Sequence, residues 1–86
     1  MSETFSVQDC QDTILYCGGR DNIVSAECCT TRVRIVLKDM SLIILEKLNN
    51  LPLVQGVWIR SKEVQLVIGI EAIRIAVMIK DELKRA

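Results

Sequence analysis

Two adjacent cysteines stand just before a pair of arginines in the stretch AECCTTRVRI, residues 26–35. One apolar residue separates Arg32 from Arg34, so both arginine side chains would point the same way from an extended chain. A thiolate is a good nucleophile toward phosphorus, and fixed cations nearby favour the thiolate over the thiol. Phosphoryl transfer also needs donors for the phosphoryl oxygens, and the hydroxyls of Thr30 and Thr31 could join the guanidinium groups. We therefore expect one of the two thiols to carry a phosphoryl group that the arginines hold.

A second interpretation of this stretch is a phosphatase loop. Cys28 and Arg34 have the C-x5-R spacing found in cysteine-dependent phosphatases and arsenate reductases. That loop wraps its backbone amides around an anion with the help of small residues, and a helix begins near its arginine. Here no glycine lies between the two residues, and the arginine stands in an alternating, β-branched run. We therefore expect the spacing to be accidental.

The composition argues against several other classes of protein. The chain has 86 residues, no histidine, four cysteines and a formal net charge of zero, which predicts one domain over residues 1–86. Zero net charge, with one residue each of Phe, Tyr and Trp, gives no basis for expecting a nucleic acid partner. Because histidine and a C-x2-C pair are both absent, we expect no metal ion and no cofactor.

The hydrophobic stretches are too short or too interrupted for a membrane-spanning helix, which needs about 20 largely apolar residues. We therefore expect no direct membrane insertion. The N-terminal stretch MSETFSVQDCQD lacks the basic start and apolar run of a secretory signal. A cytoplasmic protein with reduced thiols is the resulting prediction. In that setting Cys10 and Cys17 are expected to be small core residues on one helix face, and a disulfide between Cys28 and Cys29 is not expected.

Hydrophobic periodicity predicts seven elements in the order α-β-β-α-β-β-α. In chain order their predicted ranges are 7–17, 23–27, 32–37, 42–49, 54–60, 63–69 and 71–84. Ser6 and Ser41 are the expected N-caps of the first two helices. In the second strand Arg32 and Arg34 alternate with apolar residues, so the arginines fall on the outer face. Helices grouped on one face of a mostly antiparallel sheet make an α+β sandwich.

Four stretches of the chain resemble the IIB domain of the bacterial phosphoenolpyruvate-dependent sugar phosphotransferase system, glucose/sucrose (glucose-type) family. That family has a Gly-Gly-x-x-Asn-Ile start, a Cys-x-Thr-Arg-x-Arg core and a Gln-x-x-x-Gly element in its last strand. The matching stretches here are GGRDNI (18–23), CTTRVRIVLKD (29–39), GV (56–57) and VQLVIG (64–69). The resemblance covers roughly residues 7–84.

The resemblance implies a fold and a mechanism. The fold is a four-stranded sheet covered on one face by three helices. The catalytic residues would be Cys29, Thr31, Arg32 and Arg34, with Cys29 accepting a phosphoryl group from a phosphohistidine of a IIA protein. Cys29 would then pass it to a sugar bound by a membrane IIC permease. The chain would act as a monomer in the cytoplasm, peripheral to the inner membrane through the IIC partner.

An alternative from another class is a non-catalytic, IIB-like interaction or regulatory module. It would keep the fold and bind a IIA or IIC partner without transferring phosphoryl. Cys28, next to the expected nucleophile, could form a disulfide with it on oxidation and silence the site.

Overall fold

The computed structural model describes residues 4–85. The predicted domain of residues 1–86 also includes residues 1–3 and 86, which lie outside the described residues. The helices and strands are, in chain order, α1 (Val7–Tyr16), β1 (Ile23–Cys29), β2 (Arg32–Leu37), α2 (Leu45–Asn49), β3 (Gly56–Arg60), β4 (Glu63–Val67) and α3 (Ala72–Lys84). Short 3-10 turns occupy Arg20–Asn22 and Met40–Leu42. This confirms the predicted order α-β-β-α-β-β-α and the α+β class.

The four strands form one antiparallel sheet in the order β1-β2-β4-β3. The β1–β2 and β3–β4 pairs are hairpins, and β2 pairs with β4 at the centre. Strand β3, although it precedes β4 in the chain, lies at the outer edge. The arginine-bearing strand β2 therefore lies between β1 and β4, so residues of both neighbouring strands can contact its outward side chains.

One face of the sheet is covered and the other is open. On β2, Val33 and Ile35 are fully buried, while Arg34 between them is exposed. Helix α3 contacts β1 and β2, α2 contacts β3, and α1 packs on α3 and α2, all on the buried side. We call the buried side the covered face. The core on that side contains Cys10, Ile14, Cys17, Val33, Ile35, Leu37, Leu48, Val64, Leu66, Ala72, Ile75, Ala76 and Ile79.

Helix α1 has the predicted start and ends one residue before the predicted end. The Ser6 side chain accepts a hydrogen bond from the Asp9 backbone N–H, and the Asp9 carboxylate accepts one from the Ser6 N–H, a reciprocal capping box. After the helix, Gly18 adopts φ +97°, and an added Cβ would lie 2.6 Å from Nδ2 of Asn22. Only glycine fits this turn. The buried Asn22 amide donates to the carbonyls of Cys17 and Asp39, which ties the turn to the end of β2.

Several predicted boundaries were wrong, and the two largest differences are the end of β1 and the start of the second helix. Strand β1 continues through Cys29 instead of ending near residue 27, because pairing with β2 extends to the Cys29–Arg32 pair. The second helix does not begin at residue 42 under a Ser41 cap. Asp39 instead caps a 3-10 turn by accepting from the Ser41 N–H and hydroxyl, and residues 43–44 are non-helical before α2 begins at residue 45.

The strands β3 and β4 are shorter than predicted, at residues 56–60 and 63–67, and the predicted Ser61-Lys62 hairpin link is confirmed. Within residues 4–85, no helix has the length and apolar content needed to cross a membrane.

Candidate functional site

The β1–β2 hairpin turn places one cysteine on each face of the sheet. Residues 30–31 alone form the turn, and the pairs Cys29–Arg32 and Cys28–Val33 flank it. Because side chains alternate along a strand, Cys29 lies on the open face with Arg32, and Cys28 lies with Val33 on the covered face. Cys29 is accordingly exposed, whereas Cys28 packs partly against the core.

Arg34 forms an ion pair with an acidic residue and lies beside the candidate nucleophile. Its Nε and Nη2 atoms donate to Oε2 of Glu63 at 2.9 and 2.6 Å. Arg34 and Cys29 also lie close together on the open face, where both line one depression. The Glu63 bond and charge, and after them Cys29, raise the pKa of Arg34, which remains a cation at every accessible pH.

Arg32 is held on the same face by two different contacts. Its Nη1 donates to Oε1 of Gln65 at 3.0 Å, and its guanidinium lies 5.4 Å from the ring centroid of Trp58. These neighbours partly bury Arg32, whereas Arg34, on the same outer face, is exposed. A cation on an aromatic face is restrained yet keeps donor groups at its rim for an incoming anion.

Glu63 and Gln65 connect the two arginines. The Nε2 of Gln65 donates to Oε1 of Glu63 at 2.6 Å, while the other end of the amide accepts from Arg32. A continuous chain of hydrogen bonds therefore runs Arg32–Gln65–Glu63–Arg34. The Arg34 hydrogen bond, then the Gln65 hydrogen bond, hold the pKa of the Glu63 carboxyl below its ordinary value. Glu63 is therefore ionised at neutral pH.

These side chains line a shallow depression of about 520 Å³ on the open face. Its lining residues are Cys29, Thr30, Thr31, Arg32, Arg34, Arg60 and Gln65. Three of them are arginines, and no ion pair joins Arg60 to another of the described residues. A concave surface with an exposed thiol and several guanidinium groups suits a small dianion next to sulfur.

The turn beside the thiol is anchored through its backbone. The carbonyl of Thr31 accepts hydrogen bonds from the N–H groups of Ile68 and Gly69, at 3.0 and 2.8 Å. Gly69 has φ +119° and belongs to the Gln-x-x-x-Gly element recognised in the sequence. Thr30 has φ +54°, a strained value for a β-branched residue. Its hydroxyl lies 3.9 Å from Sγ of Cys29.

The structure brings all four sequence-predicted site residues to one depression, namely Cys29, Thr31, Arg32 and Arg34. It adds three that the sequence analysis missed: Trp58, Arg60 and Glu63. The period-two alternation of β4 could have placed Glu63 on the face of Gln65. Nothing in the sequence gives the pairing of β4 with β2, so the Glu63–Arg34 contact had no signal of its own.

The remaining cysteines have a different environment. Cys10 and Cys17 are buried in the core as predicted, and burial raises the pKa of Cys10 to about 11 and of Cys17 to about 12. The C-x5-R pair does not form a site, because Cys28 and Arg34 lie on opposite faces of the sheet. All four thiols are free. Across residues 4–85, no cluster of three or more Cys, Asp or Glu side chains could hold a metal ion.

Comparison with known proteins gives concordant similarities. The family model described as phosphotransferase system, EIIB, matches residues 11–43. The probable sucrose-specific EIIBC component of Bacillus subtilis (strain 168) is 37% identical over 59 residues, 69% of this chain and 13% of the relative. The maltose-specific EIICB component of Escherichia coli (strain K12) is 42% identical over 52 residues, 60% of this chain and 10% of the relative. The chain thus spans about a tenth of the length of these curated relatives.

A solved structure extends the similarity to most of the fold. One domain of the phosphotransferase system IIabc component from Clostridium difficile superposes with a TM-score of 0.67 at 27% identity. The alignment covers 91% of this chain and 79% of that one. The fold, the family match and the relatives agree that the chain belongs to the IIB domains of the phosphotransferase system. Within that system it is a IIB domain of the glucose type, as its motifs predicted.

Proposed function

We propose that this domain is a phosphocarrier of a sugar phosphotransferase system and that Cys29 carries the phosphoryl group. The observation that supports this most directly is the environment of the Cys29 thiol. It is exposed in a depression that Arg34 also lines, and its cross-strand partner Arg32 adds a second cation. The other thiols are partly or fully buried.

The transfer consists of two displacements at phosphorus. The Cys29 thiolate attacks the phosphoryl group of a phosphohistidine on a IIA protein, so an S–P bond forms as the N–P bond breaks. The histidine nitrogen leaves with the bonding electron pair. A hydroxyl oxygen of a sugar bound by a membrane IIC partner then attacks the same phosphorus. An O–P bond forms, the S–P bond breaks, the thiolate is restored, and the hydroxyl proton passes to a base of the partner or to solvent.

The surrounding residues act by charge and position. Arg32 and Arg34 neutralise the negative charge on the phosphoryl oxygens. In phosphoryl transfer the protein contributes mainly this electrostatic stabilisation and the positioning of the groups. Thr31 keeps the turn in place through its carbonyl and offers its hydroxyl at the rim. The relatives named EIIBC and EIICB components support a IIC partner. Residues 1–86 serve as one unit, a monomer on the cytoplasmic side of the inner membrane.

The test is phosphorylation of the purified protein. Phosphoenolpyruvate, the general proteins of the system and a cognate IIA are added, and the intact mass is measured. We expect the mass to increase by one phosphoryl group. The increase should disappear in Cys29→Ser and persist in Cys28→Ser, a matched control that removes the adjacent thiol from the opposite face.

Two outcomes would contradict the proposal. A mass increase that persists in Cys29→Ser would place the phosphoryl group elsewhere. Tight binding of IIA without any mass increase in the wild-type protein would instead match a non-catalytic interaction module.

A further inference from the structure

An acidic side chain, Glu63, lies next to the depression and contacts two of its lining residues, Arg34 and Gln65. Glu63 forms an ion pair with Arg34, the arginine that lines the depression with the thiol, and only 13% of the Glu63 side chain is exposed. The negative charge of a carboxylate would repel a phosphoryl group on Cys29 and so oppose the stabilisation that the arginines provide. We therefore expect Glu63 to have a favourable role at the site that offsets this repulsion.

The geometry of Arg34 indicates what that role is. Two donors of the guanidinium, Nε and Nη2, converge on the single oxygen Oε2 of Glu63. Because the guanidinium is planar and its donors are fixed relative to one another, two bonds set its orientation. The same group lines the depression together with Cys29. The carboxylate thus fixes the orientation of a guanidinium that lies in the depression beside the sulfur.

The second oxygen of the carboxylate extends this control to the other arginine. Oε1 of Glu63 accepts from the Gln65 amide, whose oxygen then accepts from Arg32. Since the amide nitrogen is engaged by Glu63, the amide oxygen has to face Arg32. One carboxylate therefore orients donors on both sides of the depression.

We propose that Glu63 is a positioning residue for phosphoryl transfer, acting through Arg34 directly and through Gln65 on Arg32. The proposal rests on the proposed function, because the group being positioned for is the phosphoryl on Cys29. The Arg34 side chain is 46% exposed, so its ion pair contributes little to folding stability. The loss of Glu63 is therefore expected to slow transfer without unfolding the domain.

The sheet offers a matched control in Glu27. It pairs across from Arg34 on the β1 side, is exposed, and makes its ion pair with Lys80 instead. The Glu63→Gln and Glu27→Gln variants each remove one negative charge from beside Arg34, but only the first breaks the charged contact with it. The rate constant for phosphorylation by phospho-IIA and the urea unfolding midpoint are measured for both.

We expect Glu63→Gln to be slower by about tenfold, which is less than the roughly hundredfold loss that a 1 Å misplacement can produce, because the amide oxygen can still accept from Arg34. Glu27→Gln should stay within about twofold of wild type, and both should unfold at the wild-type midpoint. In an Arg34→Gln background, Glu63→Gln should cost less than it does in the wild type, since most of its effect passes through Arg34. A Glu63→Gln rate equal to or above wild type would overturn the proposal.

A second measurement separates this proposal from the function on which it rests. Alkylation of Cys29 by anionic iodoacetate is compared with alkylation by neutral iodoacetamide, and the ratio reports the cation held at the sulfur. Relative to Glu27→Gln, which corrects for the lost charge, Glu63→Gln should lower this ratio. If the wild-type protein gains no phosphoryl mass, the proposed phosphocarrier function is contradicted. The alkylation ratio then still tests whether Glu63 positions Arg34. An equal or higher ratio would contradict the positioning role.

Discussion

The two faces of the sheet use the same strands for different purposes. On the covered face, Val33, Ile35 and Leu66 are fully buried against the helices. On the open face, Arg34 and Gln65 alternate with them along the same strands and form hydrogen bonds with Glu63. Because adjacent residues point to opposite faces, one short segment can serve folding and chemistry without sharing a side chain.

The adjacent cysteines show this division at its smallest scale. Cys28 and Cys29 differ by one position, yet Cys28 packs against the core and Cys29 lies in the arginine-lined depression. Because adjacent residues of a strand point to opposite faces, one of these thiols packs in the core and the other is free to react. The comparison predicts that substitutions on the two faces damage different properties, which the following experiments examine.

The largest expected difference in stability is between Ile35 and its neighbour Arg34. Ile35→Ala leaves a cavity in the centre of the core and should lower the free energy of unfolding by about 2–5 kcal/mol, with about 0.5–1.5 kcal/mol for Ile35→Val. Arg34→Ala removes an exposed ion pair and should cost less than about 1 kcal/mol. Urea denaturation measures both. Phosphoryl acceptance should show the reverse order, slow in Arg34→Ala and retained in Ile35→Val.

If Arg34→Ala instead destabilises the domain as strongly as Ile35→Ala, the open face takes part in folding and the division by face is wrong. The isoleucine-to-valine variant keeps this test usable even where the alanine variant does not fold.

Alkaline pH should distinguish the buried thiols from the exposed one. Burial raises the pKa of Cys10 to about 11 and of Cys17 to about 12, whereas both thiols ionise at the ordinary thiol value in the unfolded chain. Stability from these protonated thiols is therefore full below the ordinary value and is lost as pH rises through about 11 and 12. Within that window each thiol should lower the free energy of unfolding by about 1.4 kcal/mol per pH unit.

Urea denaturation at increasing pH checks this expectation. Cys17→Ala should flatten the alkaline loss of stability, because one of the two linked protons is gone. Ser61→Ala, a control in an exposed turn that removes no thiol, should leave the slope as it is in the wild type. An unchanged slope in Cys17→Ala would mean that the buried thiol is not what couples folding to alkaline pH.

Local patterns were sufficient to predict the elements that carry the site. Strand β2 has the predicted bounds, residues 32–37, because its alternation is complete and turn residues flank it. The predicted placement of both arginines on one face follows from the same alternation. Helix α2 was harder, because an Asp39 side-chain bond, rather than the Ser41 cap that the pattern favoured, sets the local turn.

The contacts within the site depend on distant parts of the chain. Glu63 lies 29 residues beyond Arg34, and only the β2–β4 register brings the two together. Trp58 reaches Arg32 from β3, two strands away in the sheet. Such registers are fixed by how the strands pack under the helices, and no local sequence pattern specifies them. The sequence therefore predicted Arg32 and Arg34 as hydrogen-bond donors of the site, but it predicted neither Arg60 nor the contacts that orient the two arginines.

The smallest expected effect concerns the two hairpin turns at opposite ends of the sheet. Each turn begins with a non-glycine residue at positive φ, Thr30 at 54° and Ser61 at 56°. Glycine takes this conformation without a Cβ clash, so Thr30→Gly and Ser61→Gly should each stabilise the domain by about 0.5–1 kcal/mol. The gain should be larger for Thr30, because its β-branched side chain is the more strained.

The rate of phosphoryl acceptance then shows whether the positive-φ backbone of Thr30 contributes to transfer. Thr30 adjoins Cys29 and places its hydroxyl 3.9 Å from the sulfur, whereas Ser61 lies outside the depression. We expect Thr30→Gly to gain stability and lose transfer rate, and Ser61→Gly to gain stability alone. Thermal unfolding and the phosphorylation rate constant, measured on both variants, give the comparison. Equal rates in the two variants would mean that the left-handed Thr30 backbone contributes only to chain reversal and does not position the thiol.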